Sequence, residues 1–389
     1  MVRELKTEKL PIKMWIDDVE AGALEQAMNL ANFPYAVSHI SLMPDCHKGF
    51  GMPIGGVMAT RDVIVPNAVG VDIGCGMCAV QTSLTEIPGK QLKNILNDIR
   101  SRIPLGFKHH KKSQEPSRMP PVDENEPMPV VNREYRSAMH QVGTLGGGNH
   151  FIEVQKGSDG RIWIMIHSGS RNIGKQVADY YNKMAIKLNQ KWNSPVPKSH
   201  QLAYLPLDSN EGRQYIREMN YCVDFALASR RLMMDRSLEV FENHFGEAFK
   251  SAPMINIAHN YAAFENHFGQ DVVVHRKGAT KADRDTVGII PGSQGANSYI
   301  VKGKGNKDSF ESCSHGAGRT MGRKQAIRSL DLQEETRKLN EKGILHAIRS
   351  QRDLDEASSA YKDITKVMEL QQDLVDILVE LEPMAVIKG

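Results

Sequence analysis

Five histidine- and glycine-rich blocks of this chain carry residue types that bind metals and act on phosphate. Val69-Gly70-Val71-Asp72-Ile73-Gly74-Cys75-Gly76 sets a carboxylate and a thiol three residues apart, in a stretch too rich in glycine for a regular helix. The others are Gly146-Gly147-Gly148-Asn149-His150-Phe151-Ile152-Glu153, Ile166-His167-Ser168-Gly169-Ser170-Arg171, Ile257-Ala258-His259-Asn260 and Cys313-Ser314-His315-Gly316-Ala317-Gly318-Arg319. Each histidine sits close to glycine or at the end of an apolar run, where a strand or helix stops and delivers a side chain into a cleft. Taken singly, any of these histidines reads more simply as a hydrogen-bonded core residue, and Asp72 and Cys75 as a turn aspartate and a buried thiol. Five blocks in one chain read as one site.

Imidazole suits zinc, manganese, iron and cobalt; carboxylate suits harder ions and thiolate softer ones. Asp72, Cys75, His150, His167 and His259 form a mixed N, O, S set richer than one tetrahedral ion needs. Two metals sharing a ligand are therefore expected, with the thiolate able to bridge. Two ions roughly 3.5–4 Å apart clamp phosphoryl transfer. The glycine-rich runs 143–148 and 291–295 could offer backbone N–H groups to phosphate, or serve only as tight turns. Neither is a Walker or dinucleotide motif. Around His315, small residues leave room for a bulky ligand, and Arg319 follows four residues later for an anion. A neutral imidazole attacks phosphorus competently, so metal ligand and nucleophile both stay open for His315. Cys75 and Cys78 also spell Cys-x-x-Cys, which would mean zinc or redox chemistry, but no second pair accompanies it.

The elements that must position these groups are partly legible. Residues 36–86 are β-rich and glycine-punctuated, with strands at Val57–Thr60 and Ala79–Thr82. Lys90–Arg102 reads as an amphipathic helix through Leu92, Ile95, Leu96 and Ile99. Residues 113–130, rich in proline and acidic residues, read as a loop. Arg161–Ile166 is a strand ending at His167, and Asn172–Trp192 and Glu211–His244 are helices. Asp271–His275 and Thr286–Ile290 are strands, and Arg323–Arg337 is one helix. Site blocks spread over the whole length favour a single α+β domain over residues 1–389, with mixed β-sheets enclosing a central metal and nucleotide cleft and helices at the periphery.

Of the 389 residues, 40% are hydrophobic and 24% charged, as in ordinary globular proteins. No apolar run approaches the roughly 18–20 residues of a membrane span, and the N-terminus lacks an apolar leader. Five cysteines without framework spacing fit a reducing cytoplasm. Net charge is only +3 (49 basic against 46 acidic residues). Basic residues nevertheless gather at Lys108-His109-His110-Lys111-Lys112, at 276–281, and at Arg319, Arg323, Lys324 and Arg328. Each run is either a solvated face or a polyanion contact.

Pro44-Asp45-Cys46-His47 with Gly55-Gly56, the 71–76 block, Gly148-Asn149-His150-Phe151-Ile152-Glu153, His167-Ser168-Gly169-Ser170-Arg171, Ala258-His259-Asn260, His275-Arg276-Lys277-Gly278-Ala279-Thr280, Pro291-Gly292-Ser293, Ser314–Arg319, Ala360-Tyr361-Lys362-Asp363 and Ile387-Lys388-Gly389 follow in that order. In this set the chain resembles the RtcB family of RNA ligases over nearly its whole length. The resemblance implies an enzyme that joins RNA 3′-phosphate or 2′,3′-cyclic phosphate ends to 5′-hydroxyl ends with GTP and Mn²⁺, in RNA repair or tRNA splicing. It implies that Asp72, Cys75, His150, His167 and His259 hold two Mn²⁺ ions and that His315 becomes guanylylated. Asn149, Glu153, Ser293, Ser298, Ala317, Gly318, Tyr361 and Lys388 would bind the guanosine nucleotide, and Arg171, Arg319 and Arg323 would meet RNA phosphates. Residues 106–130 and 187–199 match nothing assignable in the family pattern. A monomer is favoured. A metal-dependent phosphoesterase would not need Tyr361 or Lys388, and a non-catalytic RNA-binding relative would have lost a ligand or His315.

Overall fold

The computed structural model describes residues 1–122 and 125–389. Its architecture is α+β. Seven strands form one sheet in the order Ile255–Ala258, Gly76–Gln81, Ile162–Ser168, Phe151–Gly157, Val375–Lys388, Ser298–Gly303, Val287–Ile290. Every neighbouring pair in it is antiparallel. A six-stranded sheet runs Arg3–Leu5, Ile12–Met14, Ala36–Phe50, Met52–Thr60, Gln270–Lys277, Asn260–His267. This sheet is the mixed one, because Ile12–Met14 pairs parallel to Ala36–Phe50.

Strand periodicity explains how the seven-stranded sheet is covered. Ile162, Ile164 and Ile166 face one way, with Cys78, Val80, Ile152 and Val154, into a core shared with the helices Gly89–Arg102 and Asn210–Phe245. Trp163 and Met165 face the other way, with Met77, Ala79 and Phe151, onto Leu339, Ile344 and Leu354. Both faces are buried, which is why Ile162–Ser168 is an almost unbroken apolar run. On the helix Gly89–Arg102 the buried side chains are Leu92, Ile95, Leu96 and Ile99. Burying four such side chains contributes roughly 6–12 kcal/mol as an upper bound.

Two sequence expectations are corrected here. Arg323–Arg337 is two helices, Arg323–Ser329 and Leu332–Glu341. Asp331 breaks the run because its carboxylate accepts from the Glu334 N–H at 2.8 Å and starts the second helix. The 113–130 loop also ends earlier than expected, since a helix spans Pro129–Gln141. Pro129 occupies its first turn, and the buried Glu218 carboxylate accepts from the Val131 N–H at 2.6 Å. Asp123 and Glu124, part of that loop reading, lie outside the described residues. Among the described residues no helix is long and apolar enough to cross a membrane.

Candidate metal and nucleotide site

The antiparallel registers bring four of the expected metal ligands to one end of the seven-stranded sheet. Gly76 lies opposite both Ala258 and Ser168, and Phe151 lies opposite both His167 and Lys388. Cys75 precedes Gly76, His259 follows Ala258 and His150 precedes Phe151, so these residues and His167 emerge side by side. Asp72 reaches them from the preceding turn, with Oδ2 3.1 Å from His150 Nε2. The Ser170 N–H donates to its other oxygen at 3.2 Å. A Cβ on Gly169 would lie 2.2 Å from that carboxylate, so only glycine fits beside it.

Two overlapping triads result, Cys75–His167–His259 and Asp72–Cys75–His150, each with ligand atoms within 4.8 Å of one another. Cys75 belongs to both. Its sulfur is 3.3 Å from His167 Nε2 and 3.5 Å from His150 Nε2. Protonation suits cation binding. Burial, and then the neighbouring histidines, hold the pKa of His167 and His259 well below the usual value, so both rings are neutral. Burial alone would raise Asp72, but the hydrogen bond and charge of His150 outweigh it and keep the carboxylate ionised. Burial, reinforced by Asp72, pushes the Cys75 thiol well up, so a metal bound there displaces its proton. The mixed donor set therefore fits borderline divalent ions, and the shared sulfur fits a bridge between two. Cys78, by contrast, points into the core, 3.9 Å from the Arg230 carbonyl. The structure gives Cys-x-x-Cys no common ligand cluster.

His315 arrives from the other side. The strand Ser312–Ser314 pairs with Ala279–Lys281 in a separate two-stranded ribbon, which follows Gln270–Lys277 along the chain. Its ring centroid is 4.8 Å from that of His259. Asp45, fully buried in the strand Ala36–Phe50, accepts both the His315 N–H at 3.1 Å and Nδ1 at 2.5 Å through Oδ2. A neutral ring bonded this way carries its proton on Nδ1 and a lone pair on Nε2. Gly318, at φ 75°, lies against this strand; a Cβ there would be 2.3 Å from the Asp45 carbonyl oxygen.

A cleft of about 780 Å³ joins these groups, lined among others by Asp72, Cys75, Asn149, His167, His259, His315, Ala317, Gly318, Arg319, Arg323 and Tyr361. Asn149 also accepts from His167 through its carbonyl, at 3.0 Å from Nδ1. Glu153 is buried behind the cleft, where desolvation raises its pKa to about 8. Gln155 ties it to Ser298, at 2.7 and 3.1 Å, and Ser298 Oγ accepts from the Gly292 N–H at 3.2 Å. Ser293 lies in the turn after Gly292, its carbonyl accepting from the Ala296 N–H. Lys388 Nζ stands 6.0 Å from the Phe151 ring centre, with its pKa lowered to about 8 by burial. The arginines expected to meet RNA are occupied. Arg319 and Arg323 each reach Glu356 at 2.5 Å, and Tyr361 donates to the same carboxylate. The Arg319 guanidinium lies 5.0 Å over the Tyr361 ring. Arg171 donates to Thr144 Oγ1 and to the Gly106 carbonyl, at 3.1 and 2.6 Å.

Three residues escaped the sequence reading of function. Asp45 lies in the Pro44-Asp45-Cys46-His47 block, where its type alone assigns it no role, and Glu356 carries no sequence signal. Arg230, on the helix Asn210–Phe245, is fully buried and donates to the carbonyls of Gly74, Ser168 and Ile257 at 2.9, 2.8 and 3.1 Å. Those three residues lie within two positions of Cys75, His167 and His259, so one guanidinium holds three ligand-bearing segments. Its trace in the sequence is a charge inside an apolar stripe, between Ala226 and Met233.

A histidine with a free ring nitrogen beside an N, O, S cluster, in a cleft floored by glycine, has the parts that metal-assisted phosphoryl transfer needs. The family model described as tRNA-splicing ligase RtcB matches residues 26–125 and 118–389. The chain is 36% identical over 410 residues to the RNA-splicing ligase RtcB of Escherichia coli strain K12, covering 99% of each chain. It is 30% identical over 465 residues to the tRNA-splicing ligase RtcB of Thermococcus kodakarensis, covering 99% of this chain and 96% of the relative. The chain belongs to the RtcB family.

Proposed function

We propose that residues 1–389 form one GTP-dependent RNA ligase domain, joining 3′-phosphate or 2′,3′-cyclic phosphate ends to 5′-hydroxyl ends in RNA repair or tRNA splicing. The observation that carries this reading is His315, oriented by Asp45 through Nδ1 and placed 4.8 Å, ring to ring, from His259. Nε2 attacks the α-phosphate of GTP, the bond to the β-phosphate breaks and pyrophosphate leaves. GMP then passes from His315 to an RNA 3′-phosphate; where the end is cyclic, water first attacks its phosphorus, the bond to O2′ breaks and the 2′-hydroxyl takes the proton. The 5′-hydroxyl attacks that activated phosphate and GMP departs. Asp72, Cys75, His150, His167 and His259 would hold two Mn²⁺ ions, which supply neutralisation of phosphate charge.

Asn149, Glu153, Ser293, Ser298, Ala317, Gly318, Tyr361 and Lys388 are assigned to the guanosine nucleotide. The placement of Asn149, Ala317, Gly318 and Tyr361 on the cleft supports this. Arg171, Arg319 and Arg323 are assigned to RNA phosphates, for which Arg319 and Arg323 must exchange the Glu356 carboxylate. The reading places the protein in a reducing cytoplasm, as a monomer.

The test is incubation with α-labelled GTP and Mn²⁺. The expected product is a covalent GMP adduct, labile in acid and stable in base, because protonating a phosphoramidate nitrogen makes it a better leaving group. His315→Ala abolishes the adduct. Undiminished labelling of the variant places the nucleophile elsewhere, and hydrolysis of cyclic phosphate without any adduct favours a phosphoesterase.

A further inference from the structure

The segment 105–114 is an irregular arm pinned at several points. Gly106 donates its N–H to the Leu145 carbonyl at 2.9 Å, and its own carbonyl accepts from Arg171 Nη2 at 2.6 Å. His110 exchanges bonds with His140, at 3.0 Å through its N–H and 2.9 Å through its carbonyl. Its ring is 2.8 Å from the Arg236 guanidinium. Gln114 donates its N–H to the Met139 carbonyl at 2.8 Å. Between these anchors Phe107 projects completely into solvent, with Lys108, His109, Lys111 and Lys112 exposed around it. The fold gains nothing from a phenyl ring in water.

The arm stands next to the metal end of the sheet. A Cβ on Gly146 would lie 2.3 Å from His150 Nδ1 and 2.4 Å from Arg171 Nη1, and Arg171 is the residue that holds Gly106. On its other side Gly106 borders Gly389, beside Lys388. Burial, and then the charge of Arg171, lower the His109 pKa, which places the two groups in one field. An aromatic ring within a field of cations matches single-stranded nucleic acid, which offers a base face and a phosphate together. A second copy docking through the same arm would bring the same positive charge and be repelled.

We propose that this arm is an RNA-strand subsite, in which Phe107 stacks on an unpaired base near the reacting end and Lys108, Lys111 and Lys112 follow the phosphates. It rests on the RNA-ligase reading and names where the strand lies beyond the metals. The experiment measures anisotropy of a labelled single-stranded RNA with a 3′-phosphate, alongside guanylylation without RNA. Phe107→Ala is expected to weaken RNA binding by about 5- to 150-fold with guanylylation unchanged. Phe107→Trp retains binding, and its indole fluorescence is quenched by the RNA. Lys111→Ala with Lys112→Ala lowers the magnitude of the slope of log affinity against log salt by about 1.4.

Wild-type affinity in Phe107→Ala, or an unquenched indole in a variant that still binds, overturns the subsite. So does loss of guanylylation in Phe107→Ala, which makes the arm structural, and so does Phe107-dependent self-association in light scattering. Failure of the wild type to bind RNA or to label with GMP instead removes the ligase reading itself.

Discussion

Replacing Asp45 by asparagine tests the proposed nucleophile without altering its shape. The carboxylate is fully buried, and Oδ2 takes both the backbone N–H and Nδ1 of His315, at 3.1 and 2.5 Å. Among the described residues Oδ1 has no hydrogen-bond partner. An asparagine that keeps its oxygen at the Oδ2 position preserves both bonds but makes them neutral. A charge-assisted bond contributes about 1.5–3 kcal/mol and a neutral one about 0.5–1.5 kcal/mol. The ring becomes cationic as Nε2 bonds to phosphorus, so the difference, about 1–2 kcal/mol, is felt in the transition state. That is a loss of roughly 5- to 30-fold in guanylylation rate. The reversed amide sets its NH₂ against the His315 N–H and favours a proton on Nε2, which costs more. Single-turnover labelling with α-labelled GTP reads the rate, and elemental analysis and GTP titration report metals and affinity, both expected at wild-type level. A full labelling rate in Asp45→Asn refutes the orienting role. A loss confined to GTP affinity assigns Asp45 to binding.

Cys75→Ser should lower the content of both metals, because a hydroxyl is rarely deprotonated and bridges poorly, while Cys78→Ser leaves the content unchanged. Equal losses measured by mass spectrometry would restore the Cys-x-x-Cys reading. Lys388→Met keeps the length of the side chain and removes its ammonium; a lost charged hydrogen bond of about 1.5–3 kcal/mol predicts nucleotide binding or guanylylation down about 10- to 150-fold with both metals retained. Full-rate labelling of that variant removes Lys388 from the nucleotide site.

Elements whose burial follows their own periodicity were readable from sequence. Ile162–Ser168 and Gly89–Arg102 appear within one or two residues at each end, the strand as an apolar run covered on both faces and the helix as an apolar stripe covered on one. Val375–Lys388 was not readable: its pairing with Phe151–Gly157 shifts register between Pro383 and Ala385, and that with Ser298–Gly303 shifts at Ile300–Val301, so no single alternation survives. Pro129–Gln141 was hidden because its first residues continue a proline-rich run. At the site, the ligands announce themselves by type and by glycine context. Asp45, Glu356 and Arg230 act through partners far along the chain; Asp45 and His315 are 270 residues apart. A carboxylate or guanidinium acquires such a role only once folding has chosen its neighbour.

A single residue carries the chain from one sheet to the other at the site. Ala258 pairs with Gly76 in one sheet and Asn260 with Lys277 in the other, leaving His259 alone at the crossing. Its N–H donates to the Cys75 carbonyl at 2.8 Å, and its carbonyl accepts from the Ala279 N–H at 3.2 Å. The ligand cluster thus belongs to one half of the molecule, while His315 and Asp45 belong to the other. The candidate metal ligands and the imidazole held by Asp45 therefore face each other only where both sheets are in place, joined through His259.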